Sequence, residues 1–211
     1  MDKSKFIVLL MAAVGLVWAG TAAAIDVPGS SFEYPDAIGD GSWAYVKDIP
    51  GCDWTAVKYT GNPWIGQNYW WGTSYPGVGH TGDSYLKLNA GYIYQSLSGE
   101  TWVEGVTYDL GIWVTTKSTG QRLITYVMAD GDWANRIIIG DVVPAVQPDL
   151  QTWIQLTAQY TATADYAGKD IGIGFYGRSN TFADDVTIVP EPITLGLLGL
   201  GGLGLIRRKR R

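Results

Sequence analysis

The sequence predicts an all-β protein, an antiparallel β-sandwich of jelly-roll type over residues 25–188. Three observations lead to this prediction. Apolar and polar residues alternate at a period of two, turn-forming residues separate the alternating segments, and no segment of residues 25–190 keeps an apolar stripe of helical period for three turns. Regularly spaced strands without intervening helices are typical of antiparallel sandwiches.

About eleven segments have the composition of strands. The alternation is clearest at 152–161, where Ile154, Leu156 and Tyr160 fall on the same face. The segment 61–81 is instead expected to be a long loop, because it is rich in Gly, Asn and aromatic residues. The predicted strands are 30–34, 42–46, 54–59, 84–88, 92–97, 106–115, 122–129, 135–141, 152–161, 170–176 and 181–189.

Residues 1–24 have the features of a secretory signal peptide. Lys3 and Lys5 precede an apolar segment at 6–18, and small residues follow up to Ala24. The apolar segment has about 13 residues, fewer than the about 20 that cross a bilayer. We therefore predict a signal helix that signal peptidase removes.

Residues 189–211 have the features of a membrane-sorting tail. Residues 193–206 carry no charge, and residues 207–211 are all Arg or Lys. Fourteen helical residues cover about 21 Å of a hydrocarbon core about 30 Å thick. We predict a short transmembrane helix in the inner membrane, with its basic end in the cytoplasm and the sandwich outside.

The sandwich is more acidic than the whole chain. Residues 25–190 hold eight basic and eighteen acidic side chains, a net charge of −10, whereas the whole chain has −5. Such a surface repels nucleic acid and attracts divalent cations. A nucleic-acid partner is therefore not expected.

Aromatic residues cluster between positions 54 and 75, interleaved with Asn and Gln. Flat rings can pack on the apolar faces of sugars while amides reach the hydroxyls. The candidate glycan-binding residues are Trp64, Tyr69, Trp70 and Trp71. The alternative is that these rings belong to the core of the sandwich, where aromatic side chains contribute much of the stability.

Acidic residues stand near both ends of the predicted sandwich, Glu33 at the start and Asp184 and Asp185 in the last strand. The first and last strands of a sandwich often lie close together, which would create oxygen ligands for calcium. The alternative is a set of solvated carboxylates. Asp130-Gly131-Asp132 lacks the length and the final Glu of a calcium loop, so we predict a tight turn there.

No catalytic residue is predicted. The chain has one histidine and one cysteine, and no motif singles out a pair of carboxylates for glycoside hydrolysis.

The C-terminal tail closely resembles the PEP-CTERM sorting signal of Gram-negative bacteria. The resemblance consists of Pro190, Glu191 and Pro192, followed by the apolar segment and the basic end. It implies that an exosortase recognises these three residues, cleaves nearby, and releases or re-anchors the protein at the cell surface or in the extracellular matrix.

The body resembles carbohydrate-binding modules of the galactose-binding-like class. The similar segments are 31–33, 82–88, 94–97, 105–108 and 182–186. The resemblance implies a structural calcium between Glu33 and Asp185 and a polysaccharide ligand. We therefore expect a non-catalytic polysaccharide-binding protein. The alternatives are a structural protein of biofilm or envelope that makes protein contacts, and a glycan-active enzyme.

Overall fold

Two antiparallel sheets make up the computed structural model of the chain, which describes residues 23–34, 38–39, 41–67, 69, 75–147, 149–178 and 180–191. Within these residues there are eleven strands. They are β1 Ser42–Tyr45, β2 Thr55–Val57, β3 Trp64–Gln67, β4 Ser84–Lys87, β5 Gly91–Thr101, β6 Thr107–Thr116, β7 Leu123–Ala129, β8 Ile137–Val142, β9 Ile154–Thr161, β10 Asp170–Gly177 and β11 Thr181–Pro190.

One sheet has six strands in the order β1-β3-β4-β11-β6-β9, and the other has five in the order β2-β5-β10-β7-β8. The all-β, antiparallel prediction is confirmed. Neighbours that are far apart in sequence, such as β4 with β11 and β5 with β10, require the chain to cross between sheets, as it does in a jelly roll.

The core lies between the sheets because each strand turns alternate side chains inward. In β6, Leu110 and Ile112 are buried in the core, and in β10 Ile171, Ile173 and Phe175 are fully buried there. Alternate residues of the same strands therefore form the two outer faces of the sandwich.

Trp102, between β5 and β6, is the largest fully buried side chain. Its indole Nε1 donates a hydrogen bond of 2.9 Å to the carbonyl oxygen of Met128. Its ring meets Tyr108 and Tyr160 edge to face, with centroids 4.9 and 5.1 Å away. It therefore joins strands from both sheets.

Two expectations about strands were wrong. Residues 30–34 do not form a strand, because Gly29 and Phe32 have positive φ angles of 61° and 55° and the chain turns at 28–31. The predicted loop at 61–81 contains β3, which pairs with β1 and β4. Pairing on both sides stabilises this strand even though its local sequence favours a loop.

The predicted transmembrane helix at 193–206 and all but the last two residues of the predicted signal at 1–24 lie outside the described residues. Within the described ranges, no helix has the length and apolar character needed to cross a membrane. Residues 24–189 form one compact unit.

Replacing Trp102 should destabilise the sandwich far more than replacing its neighbour. Trp102→Ala removes a buried ring and its hydrogen bond, so we expect the free energy of unfolding to fall by about 3–5 kcal/mol in urea titrations. Val103 is 52% exposed, and Val103→Ala serves as the control with a change below about 0.5 kcal/mol. Equal effects of the two variants would contradict the assigned core.

Candidate functional site

The outer face of the five-stranded sheet carries a group of aromatic side chains, most of them partly exposed. They come from β5, β7, β10 and the connections next to β2 and β8, and we call them the tyrosine face. Its members are Tyr59, Tyr92, Tyr94, Tyr126, Trp133 and Tyr176.

The register of three strands positions these rings. In the middle strand, β10, Gly174 lies directly between Tyr94 of β5 and Tyr126 of β7. Because Gly174 has no side chain, Trp133 can lie across the sheet at this point. A Cβ atom on Gly174 would come within 2.9 Å of Trp133 Cζ3 and 3.0 Å of Tyr94 Cβ.

The turn after β7 brings Trp133 to this position. Asp130 and Gly131 have φ angles of 53° and 69°, the combination of a mirror-image hairpin turn, so the predicted tight turn is confirmed. Asp132 then caps a short 3₁₀ turn, Trp133–Asn135, by accepting a hydrogen bond from the amide of Ala134. The Trp133 ring stacks on Tyr94 with centroids 5.1 Å apart and planes 22° apart.

Arg136 adds a positive charge to the tyrosine face. Its guanidinium carbon lies 4.3 Å from the ring centroid of Trp133 and 5.3 Å from that of Tyr126. Nη1 donates to the carbonyl oxygen of Trp133, whereas Nε is buried without a partner among the described residues. The cation–π contacts hold the guanidinium in place while the side chain stays partly exposed.

The rings of the tyrosine face differ in exposure. Tyr59 is 62% exposed and meets Tyr92 and Tyr176 edge to face, whereas Tyr126 is buried. Burial is the main reason that the pKa values of Tyr126 and Tyr176 are raised, so both phenols stay neutral at physiological pH. The surface thus offers flat apolar rings, neutral hydroxyls and the guanidinium of Arg136.

Two of the predicted glycan-binding residues, Trp64 and Tyr69, lie at the other sheet. Trp64 of β3 is only 6% exposed, and its ring lies within 5.7 Å of the rings of Trp43, Tyr69 and Tyr75. Tyr69 is partly buried against it. Trp70 and Trp71 lie outside the described residues, and a glycan-binding role for all four stays a prediction.

The acidic residues from the two ends of the sandwich meet at the loop 79–84. Glu33 Oε1 accepts hydrogen bonds from the amides of Asp83 and Ser84, at 3.0 and 2.8 Å. Asp184 Oδ2 accepts from the amides of His80 and Thr81, at 2.6 and 3.1 Å.

Asp185 contacts the same loop through its side chain. Its Oδ2 is 2.7 Å from His80 Nδ1, and the His80 ring stacks on Trp113 with centroids 3.8 Å apart. Burial and the neighbouring charge of Asp185 raise the pKa of Asp184 to about 8, although three backbone amides act in the opposite direction. Two carboxylates thus share one corner, and one of them is poorly solvated.

Calcium at this corner stays a prediction. The carboxylates of Glu33, Asp184 and Asp185 all reach the loop 79–84, but each already accepts hydrogen bonds there. Among the described residues, no group of three or more His, Cys, Asp or Glu side chains has an arrangement that could hold a metal ion.

The predicted sorting residues follow the last strand. Pro190 ends β11 and Glu191 comes directly after it, whereas Pro192 lies outside the described residues.

Comparison with known proteins confirms the sorting tail. Residues 189–211 match the family model of the PEP-CTERM protein-sorting motif. No curated protein is similar to the chain in sequence.

Solved structures that match this chain include cyclases and a xylan-binding domain. One is the stig cyclase Fisc from Fischerella sp. TAU, solved with an indole ligand. Its TM-score is 0.59 at 17% sequence identity, and the match covers 82% of this chain and 99% of the cyclase chain. An apo cyclase from Fischerella sp. has a TM-score of 0.58, is 18% identical and covers 82% and 98%. The CBM22-1 xylan-binding domain of Paenibacillus barcinonensis Xyn10C has a TM-score of 0.44, is 13% identical and covers 70% and 92%. At these identities the cyclase likeness shows the fold alone.

A methyl group at Gly174 should displace Trp133. In Gly174→Ala the new Cβ would overlap the indole ring, so we expect a loss of near-UV circular dichroism from the stacked rings. Gly39→Ala is the control, because a Cβ there meets nothing within 4 Å. A near-UV spectrum of Gly174→Ala identical to that of the parent would contradict the placement of Trp133.

Proposed function

We propose that this protein is exported and binds extracellular polysaccharide through the tyrosine face, without a catalytic step. The proposal depends mainly on one observation, the array of rings around Gly174 with Arg136 held against it. Sugar rings present apolar C–H faces and hydroxyl edges. On the tyrosine face, the aromatic rings complement the C–H faces, and the tyrosine hydroxyls and the Arg136 guanidinium complement the hydroxyl edges. Binding sites of this kind combine apolar walls with a few fixed polar groups.

The sorting tail supports the export part of the proposal. A PEP-CTERM protein-sorting motif at 189–211 directs the chain to the cell surface. We propose that signal peptidase acts first, that the tail holds the chain briefly in the inner membrane with the sandwich in the periplasm, and that an exosortase then recognises Pro190, Glu191 and Pro192. The mature protein would lie at the cell surface or in the extracellular matrix.

Glycan retention by single variants tests the binding surface. The full chain is applied to a panel of insoluble and capsular polysaccharides, and the retained fraction is measured. Tyr59→Ala and Trp133→Ala should weaken retention by roughly two- to tenfold each, the loss expected for one aromatic contact. Because Tyr59 is 62% exposed, its variant should keep the melting temperature of the parent.

Trp43→Ala is the matched control, since Trp43 is 40% exposed and lies on the six-stranded sheet. It should leave retention unchanged. If Tyr69→Ala weakens retention and the tyrosine-face variants do not, the sequence-predicted loop is the binding surface instead; if Trp43→Ala alone does, the binding surface is elsewhere on the six-stranded sheet. No retention on any glycan would overturn the proposal and favour a structural protein that makes protein contacts.

A glycan-active enzyme remains the other alternative. It predicts new reducing ends when the full chain is incubated with a polysaccharide that it retains. Retention without new reducing ends supports binding alone, and release of reducing ends would overturn the non-catalytic part of the proposal.

We also propose that calcium binds at the loop 79–84, with Glu33 and Asp185 as ligands. The support is the pair of carboxylates, Asp184 and Asp185, which a divalent cation would stabilise in the charged form. Without a cation, folded Asp184 keeps a proton that the unfolded chain loses near its ordinary pKa. The contribution of Asp184 to the free energy of unfolding therefore decreases as pH rises from about 4 to about 8.

Thermal unfolding of the full chain tests this proposal. In chelator the melting temperature should fall between pH 5 and pH 8, and calcium should restore it at pH 8 because it binds only the folded state. Asp185→Asn should abolish the calcium effect, whereas Asp165→Asn, at an exposed position, should not. Identical melting temperatures with calcium and with chelator would contradict calcium binding at the loop 79–84.

A further inference from the structure

A cleft on the outer face of the six-stranded sheet contains a buried lysine. The cleft has a volume of about 400 Å³ and is lined by Tyr75, Lys87, Lys117, Ser118 and Asn180. Lys87 belongs to β4, where its neighbour Leu86 fills the core and Lys87 itself turns to the outer face. Only 8% of Lys87 is exposed.

Three aromatic rings surround the ammonium group of Lys87. Its Nζ lies 4.8 Å from the ring centroid of Tyr75, 5.5 Å from that of Trp64 and 5.7 Å from that of Phe182. Trp64 and Phe182 are the cross-strand partners of Lys87 on β3 and β11, so the sheet register builds this cage. Cation–π contacts of this kind favour the charged form of the amine.

The ammonium group nevertheless has no anionic partner in the part of the chain that the structure describes. The ion pairs there involve Lys47, His80 and Arg122, and no hydrogen bond from Lys87 Nζ is formed. Burial lowers the pKa of Lys87, in keeping with a poorly solvated charge. An ammonium group has three donors, and an anion in the cleft would accept hydrogen bonds from those that face it.

A second donor lines the same cleft. Ser118 Oγ accepts hydrogen bonds from Gln121 Nε2 at 2.8 Å and from Asn180 Nδ2 at 3.0 Å. Because both lone pairs of the hydroxyl are then used, its own proton is left to donate. Lys117 also lines the cleft, and none of the lining residues that the structure describes is acidic.

We propose that this cleft binds the carboxylate or sulfate group of an acidic sugar, with Lys87 as the ion-pairing residue and Ser118 as a hydrogen-bond donor. The volume lies within the range of small-molecule sites, about 300–1,000 Å³, and exceeds what a bare ion fills. Tyr75 and Asn180 supply the ring and the amide that a sugar needs beside its anionic group. The cleft lies on the sheet opposite the tyrosine face, so this inference does not depend on the proposed function.

Calorimetric titration of the full chain with trigalacturonate tests the site. The fully methyl-esterified trisaccharide is the neutral control ligand, and inorganic sulfate is the free-ion control. We expect trigalacturonate to bind and the ester not to bind. Lys87→Met, which keeps most of the stem and removes the charge, should weaken binding by about 10- to 100-fold, the loss expected for one charge-assisted hydrogen bond. Lys58→Met, at an exposed position outside the cleft, should leave the affinity unchanged.

Two further measurements keep the test decisive if Lys87→Met does not fold. Ser118→Ala should weaken trigalacturonate binding, and in the parent protein the NMR-monitored pKa of Lys87 should rise on binding because the anion stabilises the ammonium. Equal binding of trigalacturonate and its ester would overturn the site. The site would also be overturned if the variants that fold bind with unchanged affinity and the pKa of Lys87 does not change on binding. Competition by inorganic sulfate at the same concentration would overturn the assignment to a sugar.

Discussion

The pairing of β10 between β5 and β7 is the constraint on which both the core and the outer surface of the five-stranded sheet depend. In this register Ile173 and Phe175 enter the core while Gly174 faces outward between Tyr94 and Tyr126. A slip by one residue would exchange these faces, burying the glycine position and exposing two large apolar side chains. The stability of the fold and the shape of the tyrosine face are therefore set by the same hydrogen-bonded ladder.

The two outer faces of the sandwich use aromatic residues in different ways. On the six-stranded sheet, Trp64 and its neighbours enclose Lys87 and are themselves mostly buried. On the five-stranded sheet, most of the rings around Trp133 stay partly exposed, and the partly exposed Arg136 stacks against Trp133. Buried rings mainly contribute stability, whereas half-exposed rings remain available to a ligand. This difference is the reason for proposing the five-stranded sheet, rather than the six-stranded one, as the glycan-binding surface.

The sequence was sufficient to predict most strands and the tight turn at Asp130, because period-two alternation and turn residues are local signals. It did not predict β3, whose stability comes from pairing with β1 and β4.

The tyrosine face was missed because its members are spread from Tyr59 to Tyr176 and meet only through strand register. The alternation of Tyr92 and Tyr94 with buried Ile93, and of Tyr176 with Phe175, was the local signal that could have pointed to it. The sequence predicted that Glu33 would approach Asp184 because the first and last strands of a sandwich often lie close together, but residues 30–34 form no strand, and the contact of both side chains with the loop 79–84 depends on tertiary packing.

Fluorine NMR of the full chain labelled with 5-fluorotryptophan tests the central claim most directly. The resonances of Trp133 and Trp43 are assigned with Trp133→Phe and Trp43→Phe, and the protein is titrated with a neutral polysaccharide that it retains, because an acidic one could also enter the Lys87 cleft. The account predicts that the Trp133 resonance shifts with ligand concentration while the Trp43 resonance stays constant. A shift of Trp43 with an unchanged Trp133 would contradict it and place the ligand on the six-stranded sheet.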